Sequence, residues 1–223
     1  MTKKYRSEHQ LVDKALNLDG DPEHIRQFYD DWAKNYDKDV ADIDYVGPRL
    51  VGELVAKHTD SLDEEVKAKL NVLDAGCGTG LVGRELHRSG FTQIDGFDLS
   101  GEMAEQAAHS GIYKSAIGGV DIMKAEDHYA SGSFDIIVCV GVFTLGHVPP
   151  EALEVLVRLA RKGCLVFITT RTQYYDETNY QDVADRLIES GRMKLVESVE
   201  RAHYIGGSRS HFWVYRVDAT GRS

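Results

Sequence analysis

Residues 71–80, Asn-Val-Leu-Asp-Ala-Gly-Cys-Gly-Thr-Gly, set a carboxylate, Asp74, just ahead of glycines at three alternate positions, Gly76, Gly78 and Gly80. Glycine there lets the backbone turn tightly and lets a ligand approach with no Cβ in the way. Such a turn at the exit of a strand is suited to a nucleotide-like or anionic group. A second carboxylate, Asp98 in Gly-Phe-Asp-Leu-Ser, comes 18 residues after Gly80.

The spacing discriminates among ligands. A P-loop requires Gly-Lys-Ser or Gly-Lys-Thr at its end, whereas Gly80 is followed by Leu81 and Val82. A dinucleotide loop prefers G-x-G-x-x-G, so that a pyrophosphate can lie on the helix N-terminus. Here the pattern is G-x-G-x-G, and a carboxylate at Asp74 suits a positive, hydrogen-bond-donating ligand end better than a pyrophosphate. S-adenosylmethionine, with an ammonium, a sulfonium and no phosphate, is the ligand that fits. Asp98 can accept both ribose hydroxyls, but dinucleotide folds use an acid in the same way. The loop spacing and Asp74 therefore decide the cofactor, and Asp98 does not.

These residues need elements to hold them. Asp21-Pro22 starts a helix, with the acid as N-cap and proline in the first turn. Ile25, Phe28, Tyr29, Trp32, Tyr36 and Val40 then recur at helical spacing along one aromatic-rich face. A second helix is predicted over 48–58 behind Pro48, and Ser61 to Glu64 is a capping-box pattern for a short third. From residue 70 strands and helices alternate. Strands are predicted at 70–75, 93–98, 134–140 and 164–170, and helices at about 80–89, 101–110, 150–161 and 179–190. Gly90, Gly163 and Gly191 stand where a left-handed residue would close three of those helices. Near-continuous apolar strands between helices imply a buried, mostly parallel sheet. The segments 193–201 and 211–217 lack an intervening helix and predict an antiparallel pair at the close.

With these motifs in order, the sequence resembles the class I S-adenosylmethionine-dependent methyltransferases. VLDAGCGTG resembles their first motif, GFDLSGEM the acidic motif that follows, SFDIIVCVGVFTLGHV the fourth-strand segment and CLVFITTR the fifth. The resemblance spans about residues 24–217, and FYDDWAKNYDKDV with VGVFTLGHVPPEAL is most similar to the methyltransferase-like 27 (Williams-Beuren region 27) group. It implies a Rossmann-like α/β fold: a seven-stranded, mostly parallel sheet with helices on both faces and an antiparallel final strand. It further implies one domain over 1–223, with 1–69 a helical cap over the cofactor and 70–217 the α/β core.

The resemblance also assigns roles. Asp74, Gly76, Gly78 and Gly80 would line the methionine and ribose side of the cofactor, Asp98 would hold the ribose diol, and Leu99 and Met103 would pack the adenine. Met103 fits helix core equally well. Asp121 and Ile122 would meet the adenine amino group and ring, with Glu126 and Asp127 as rival acids. Val140 and Gly141 would present backbone to the amino-acid end, beside Cys139 in the buried strand. Tyr29 and Tyr36, and less directly Trp32, would touch the cofactor, although an aromatic stripe also reads as core. A π face near the sulfonium would contribute roughly 0.5–2 kcal/mol. His147, just past the fourth strand, stands where a methyl acceptor would arrive and is the candidate general base, or else a loop histidine capping the next helix. His203 and Tyr204 are further candidates for the acceptor pocket, and Tyr174 and Tyr175 for a cover over it.

Composition bounds the reading. A hydrophobic fraction of 42% with 28% charged residues supports an ordinary globular core, and a net charge of -10 argues against a nucleic-acid or anionic membrane partner. The charged opening MTKKYRSEHQ leads into no apolar signal segment. Cys77, Cys139 and Cys164 match neither a disulfide frame nor a zinc spacing, so no metal is expected. The expectation is a cytoplasmic methyltransferase acting on an oxygen or nitrogen of a small molecule, with S-adenosylhomocysteine as product. Rival readings are another transfer from the same cofactor (propylamine transfer or cofactor carboxylation), a non-catalytic cofactor-binding partner protein, and a nicotinamide oxidoreductase.

Overall fold

The computed structural model describes residues 11, 12 and 14–218; the charged opening 1–10 lies outside the described residues. Seven strands form one sheet: β1 (Asn71–Ala75), β2 (Gln93–Asp98), β3 (Ser115–Gly118), β4 (Phe134–Phe143), β5 (Ala160–Arg171), β6 (Met193–Ile205) and β7 (Ser208–Val217). Their order is β3-β2-β1-β4-β5-β7-β6. Strands β3 to β5 run parallel, and β7 lies antiparallel between β5 and β6. The order reverses at β1, between β2 and β4, which opens a crevice beyond the carboxyl ends of the parallel strands. The Asp74 and Asp98 strands are neighbours there, with Asp74 in register with Gly96 and Val138.

From Pro22 on, the helices among the described residues are α1 (Pro22–Ala41), α2 (Gly47–His58), α3 (Glu64–Lys67), α4 (Leu81–Arg88), α5 (Gly101–His109), α6 (Ala152–Leu159), α7 (Thr172–Glu177) and α8 (Tyr180–Glu189), with a 3₁₀ turn at Ile122–Asp127. The start of α1 follows its local chemistry: the Asp21 carboxylate accepts from the Glu23 and His24 amides at 2.8 and 3.3 Å. Ile25, Trp32, Ala33 and Val40 make its buried stripe. One core layer packs α6 and α8 on the sheet through Leu153, Leu156, Val183 and Leu187. The opposite layer packs α2 and α4 through Val51, Val55, Val82 and Leu86 against Val72, Val138 and Phe167. Each such aliphatic side chain removed from water contributes roughly 1.5–3 kcal/mol. Among the described residues no helix is long and apolar enough to cross a membrane.

Several local expectations are corrected. The short third helix is capped at Asp63 rather than Ser61, and no side-chain bond closes the cap. Gly163 does not end a helix: α6 stops at Leu159 and Gly163, with φ 88°, lies inside β5. Gly90 and Gly191 do close α4 and α8, donating to the His87 and Ile188 carbonyls. Strand β3 went unread because SAIG is four residues long and only partly covered, with no alternation to read.

Candidate active site

The glycine turn leaves β1 and enters α4. Gly76, at φ 74°, sits against Val142, and a Cβ there would come within 2.3 Å of the valine methyl. Gly80, at φ 90°, is the left-handed N-cap of α4. The turn is held from its neighbour strand. Asp98 accepts from the Gly78 amide at 2.8 Å through Oδ2 and from the Ser100 amide at 2.9 Å through Oδ1. Burial pushes the Asp98 carboxyl up to about 6, against those two amides, which favour the charged form.

Helix α1 is fastened over this turn. The Thr79 hydroxyl donates to Asp37 Oδ1, and Arg84 donates to Asp37 Oδ2 at 3.0 Å. Asp30 accepts from the Ser100 hydroxyl at 2.6 Å and from Arg26 at 2.5 Å, tying the helix to the start of α5. The segment before α1 is joined to the loop after β4 by the Gly20 amide, which donates to the Gly146 carbonyl at 3.1 Å.

Between α1 and the strand ends lies a cleft with about 830 Å³ of space, open mouth included. Tyr29, Tyr36, Gly76, Gly78, Asp98, Leu99, Met103, Asp121, Ile122, Val140, Gly141 and His147 all line it, joined by Pro22, Ile25, Phe97, Val120, Val142 and Val148. Asp98 and Asp121 are its only carboxylates among the described residues; the rival acids Glu126 and Asp127 are absent from the wall. Asp121 also caps the 3₁₀ turn by accepting from the Met123 amide.

Three residues read for this wall stand elsewhere. Asp74 is fully buried beneath the turn: the Tyr113 hydroxyl donates to its Oδ2 at 2.6 Å, and Oδ1, near the Gly83 amide, has no hydrogen bond of ordinary geometry. Burial, with the Asp98 charge adding to it, raises its carboxyl to about 7. Gly80 faces Tyr113 and Ala107. Trp32, 5% exposed, turns its indole N–H to Asp39 at 2.9 Å and its ring toward a second cavity.

That second cavity shares Tyr29, Tyr36, Gly141 and His147 with the first, and continues past them to Tyr45, Thr144, Arg171 and Tyr204. His147 Nδ1 lies 3.0 Å from the Leu145 carbonyl, which can only accept, so Nδ1 carries the proton and Nε2 a lone pair. The Tyr29 hydroxyl, 2.8 Å away, therefore donates to Nε2. Burial lowers the His147 pKa, and the Arg171 charge lowers it further, so the ring is neutral near pH 7. Tyr45, Tyr204 and Thr169 form a chain of hydroxyls at 3.1 and 3.2 Å, and the Gly141 amide donates to Thr169 at 2.9 Å.

Other candidates fall outside. His203 pairs with Asp44 at the surface, 2.9 Å away. Tyr174 is core, its hydroxyl donating to the Val148 carbonyl, and Tyr175 packs on His211 and Trp213, so neither covers the second cavity. Cys139 is buried, and all three cysteines are free. Sequence reasoning missed Tyr45, Asp37 and Arg171. Only Arg171 carried a signal, because it ends β5 at the edge where such sheets bind ligands.

The strand order, the antiparallel close and a cleft at the switch point with Asp98 on its wall are those of a class I methyltransferase, the class that uses S-adenosylmethionine. A family profile described as a methyltransferase domain matches residues 47–212, and the chain belongs to that family. Human methyltransferase-like protein 27 is 36% identical over 194 residues, 83% of this chain and 71% of that protein. A ubiquinone biosynthesis O-methyltransferase of Xanthomonas oryzae is 35% identical over 107 residues, 46% of this chain and 44% of its own length. Among solved structures, the [4+2]-cyclase SpnF superposes with a TM-score of 0.69 at 16% identity over 92% of this chain and 98% of its own. Magnesium protoporphyrin IX methyltransferase of Synechocystis, with bound S-adenosylmethionine, gives 0.57 at 19% identity over 77% and 79%. At these identities the structural likenesses speak for the fold alone, and the cyclase among them illustrates that the fold does not fix the reaction.

Proposed function

We propose that this chain moves the methyl group of S-adenosylmethionine to an oxygen or nitrogen atom of a small molecule, and that it does so in the cytoplasm. The observation that carries the reading is the meeting of two cavities at one wall, made of Tyr29, Tyr36, Gly141 and His147. The first cavity takes the cofactor: Asp98 accepts from the ribose hydroxyls, Leu99, Met103 and Ile122 pack the adenine, Asp121 accepts from its amino group, and the Gly76–Gly78 turn lies along the methionine. Tyr36 and Val140–Gly141 bound the sulfonium end. The second cavity takes the acceptor.

Methyl transfer is an in-line displacement. The acceptor lone pair attacks the methyl carbon, the carbon–sulfur bond breaks, and its electron pair leaves neutral S-adenosylhomocysteine. Holding the two reactants in line supplies roughly 7–11 kcal/mol of the barrier reduction. The acceptor proton goes to His147 Nε2 through Tyr29, whose hydroxyl releases its own proton to Nε2 as it takes the acceptor's. The neutral ring favoured by burial is the form able to accept it. Asp74 serves beneath the turn as a positioning residue, because it holds Tyr113 and does not reach the cleft.

The test is a screen of small-molecule alcohols, phenols, amines and carboxylates for S-adenosylhomocysteine formation, followed by His147→Ala with the best acceptor. The variant is expected to bind S-adenosylhomocysteine within about threefold of wild type and to lose about 10²–10⁴ in kcat. Product formation only with nucleic acid or protein fractions would sink the small-molecule reading. An unchanged kcat would remove His147 from the chemistry.

A further inference from the structure

Arg171 ends β5 and is only 9% exposed. Its nitrogens face cavity space rather than packed core, so its five donors stand open to a carboxylate, phosphate or carbonyl. Among the described residues its guanidinium has no hydrogen bond or ion pair, and it lies over the face of the Tyr204 ring, 5.5 Å from the centroid. Asp176 and Glu177 line an adjoining cavity with it, and both are engaged by other side chains. Asp176 is held by Arg201 at 3.1 Å, and Glu177 accepts from Gln173 at 3.0 Å. Arg171 lines the second cavity with Tyr29, Tyr45, Thr144, His147 and Tyr204, and its charge is felt by the phenols and the imidazole there.

We propose that Arg171 selects the methyl acceptor, and that the acceptor carries a carboxylate which this guanidinium binds as a forked pair. This rests on reading the second cavity as the acceptor site. A carboxylate is favoured over a phosphate because one positive charge meets one negative charge. A phosphate's second charge would stay unneutralised inside a chain of net charge -10. The same acidity repels anions at long range, so a local cation is needed to hold one. The surrounding tyrosines give an acceptor of this kind an aromatic wall and hydroxyl donors. With its carboxylate on Arg171, its reacting atom can lie toward Tyr29 and His147, at the wall shared with the cofactor cleft.

The experiment uses the full chain saturated with S-adenosylhomocysteine and titrated with acetate, benzoate and phenylacetate, each against its amide, with inorganic phosphate alongside. At least one carboxylate is expected to bind ten- to a hundredfold more tightly than its amide, and R171M is expected to abolish that preference while changing S-adenosylhomocysteine affinity by less than about twofold. Equal binding of acids and amides, no binding by any of the three acids, or tighter binding of phosphate would overturn the proposal. The wild-type comparison stands even if R171M fails to fold. Loss of S-adenosylhomocysteine binding by a folded R171M would assign Arg171 to the cofactor's own carboxylate and also overturn it. Failure of S-adenosylhomocysteine to bind the wild type would instead refute the underlying function.

Discussion

Asp74→Asn should change how the folded chain responds to pH. The wild-type carboxyl is wholly buried, has Tyr113 as its one hydrogen-bond donor of good geometry, and is raised from 3.8 to about 7, burial being the main cause. A folded-state value above the unfolded one means that the native chain keeps this proton while the unfolded chain releases it. Stability therefore falls as pH rises from about 4, and the loss is complete above about 7. For values of 3.8 and 7, the wild type should lose about 2–3 kcal/mol relative to Asp74→Asn between pH 5 and pH 8. Asparagine can still accept from Tyr113 and cannot ionise, so the comparison sets aside His147 and His211, which titrate in both proteins, and reports Asp74 together with its coupling to Asp98. Urea denaturation of the ligand-free proteins at the two pH values measures the difference. Parallel stabilities within about 0.5 kcal/mol, or a wild type that gains on the variant at pH 8, would refute the argument that the site favours the protonated acid.

Two further outcomes follow from the same contacts. Asp37→Ala removes the carboxylate that takes both the Thr79 hydroxyl and Arg84. Because Asp37 is about one-third exposed, the tie is worth only about 1 kcal/mol. S-adenosylhomocysteine should dissociate about three- to tenfold faster, read by stopped-flow fluorescence, and an unchanged rate would mean that α1 does not gate the cleft. His211 is buried with both ring nitrogens unpartnered among the described residues, and stacks on Trp213. His211→Phe keeps the stacking and removes the unmet polar atoms, so it should stabilise the fold by about 1 kcal/mol. Burial lowers the histidine's pKa, so the wild type should also lose stability relative to the variant as pH falls below about 6.5, its unfolded value. Thermal melts at pH 5.5 and 8 check both.

Much of the scaffold was legible because it is written in local patterns. Apolar strands, glycine punctuation and the Asp21-Pro22 cap each act within a few residues, and a mostly parallel sheet followed from them. The cleft was legible for a related reason. Asp98 ends β2 with Leu99 and Met103 just after it, and Val140 and Gly141 lie in the last part of β4, so the neighbouring strands bring them together. What stayed hidden depends on side chains meeting across long separations. Asp74 could be placed at the end of β1, but only packing shows that Tyr113, 39 residues away, turns it from the cleft. Trp32 fell on the right face of α1 and was turned by Asp39 to the neighbouring cavity. Tyr45 meets Tyr204 from 159 residues away, and no periodicity encodes that. Arg171 was passed over although it ends β5, and its burial without a counter-ion is what sets it apart.

The central claim is that the cleft over Gly76, Gly78 and Asp98 holds the cofactor. Calorimetric titration with S-adenosylhomocysteine, with NAD as control, on the wild type and on Asp98→Ala tests it most directly. Asp98 would accept two charge-assisted hydrogen bonds from the ribose, each worth about 1.5–3 kcal/mol, so its loss should weaken binding by about 10²–10⁴. One saturable site for S-adenosylhomocysteine, weakened by that factor in Asp98→Ala and blind to NAD, is the predicted result. Binding of NAD in its place, or S-adenosylhomocysteine binding that ignores the loss of Asp98, would contradict the account.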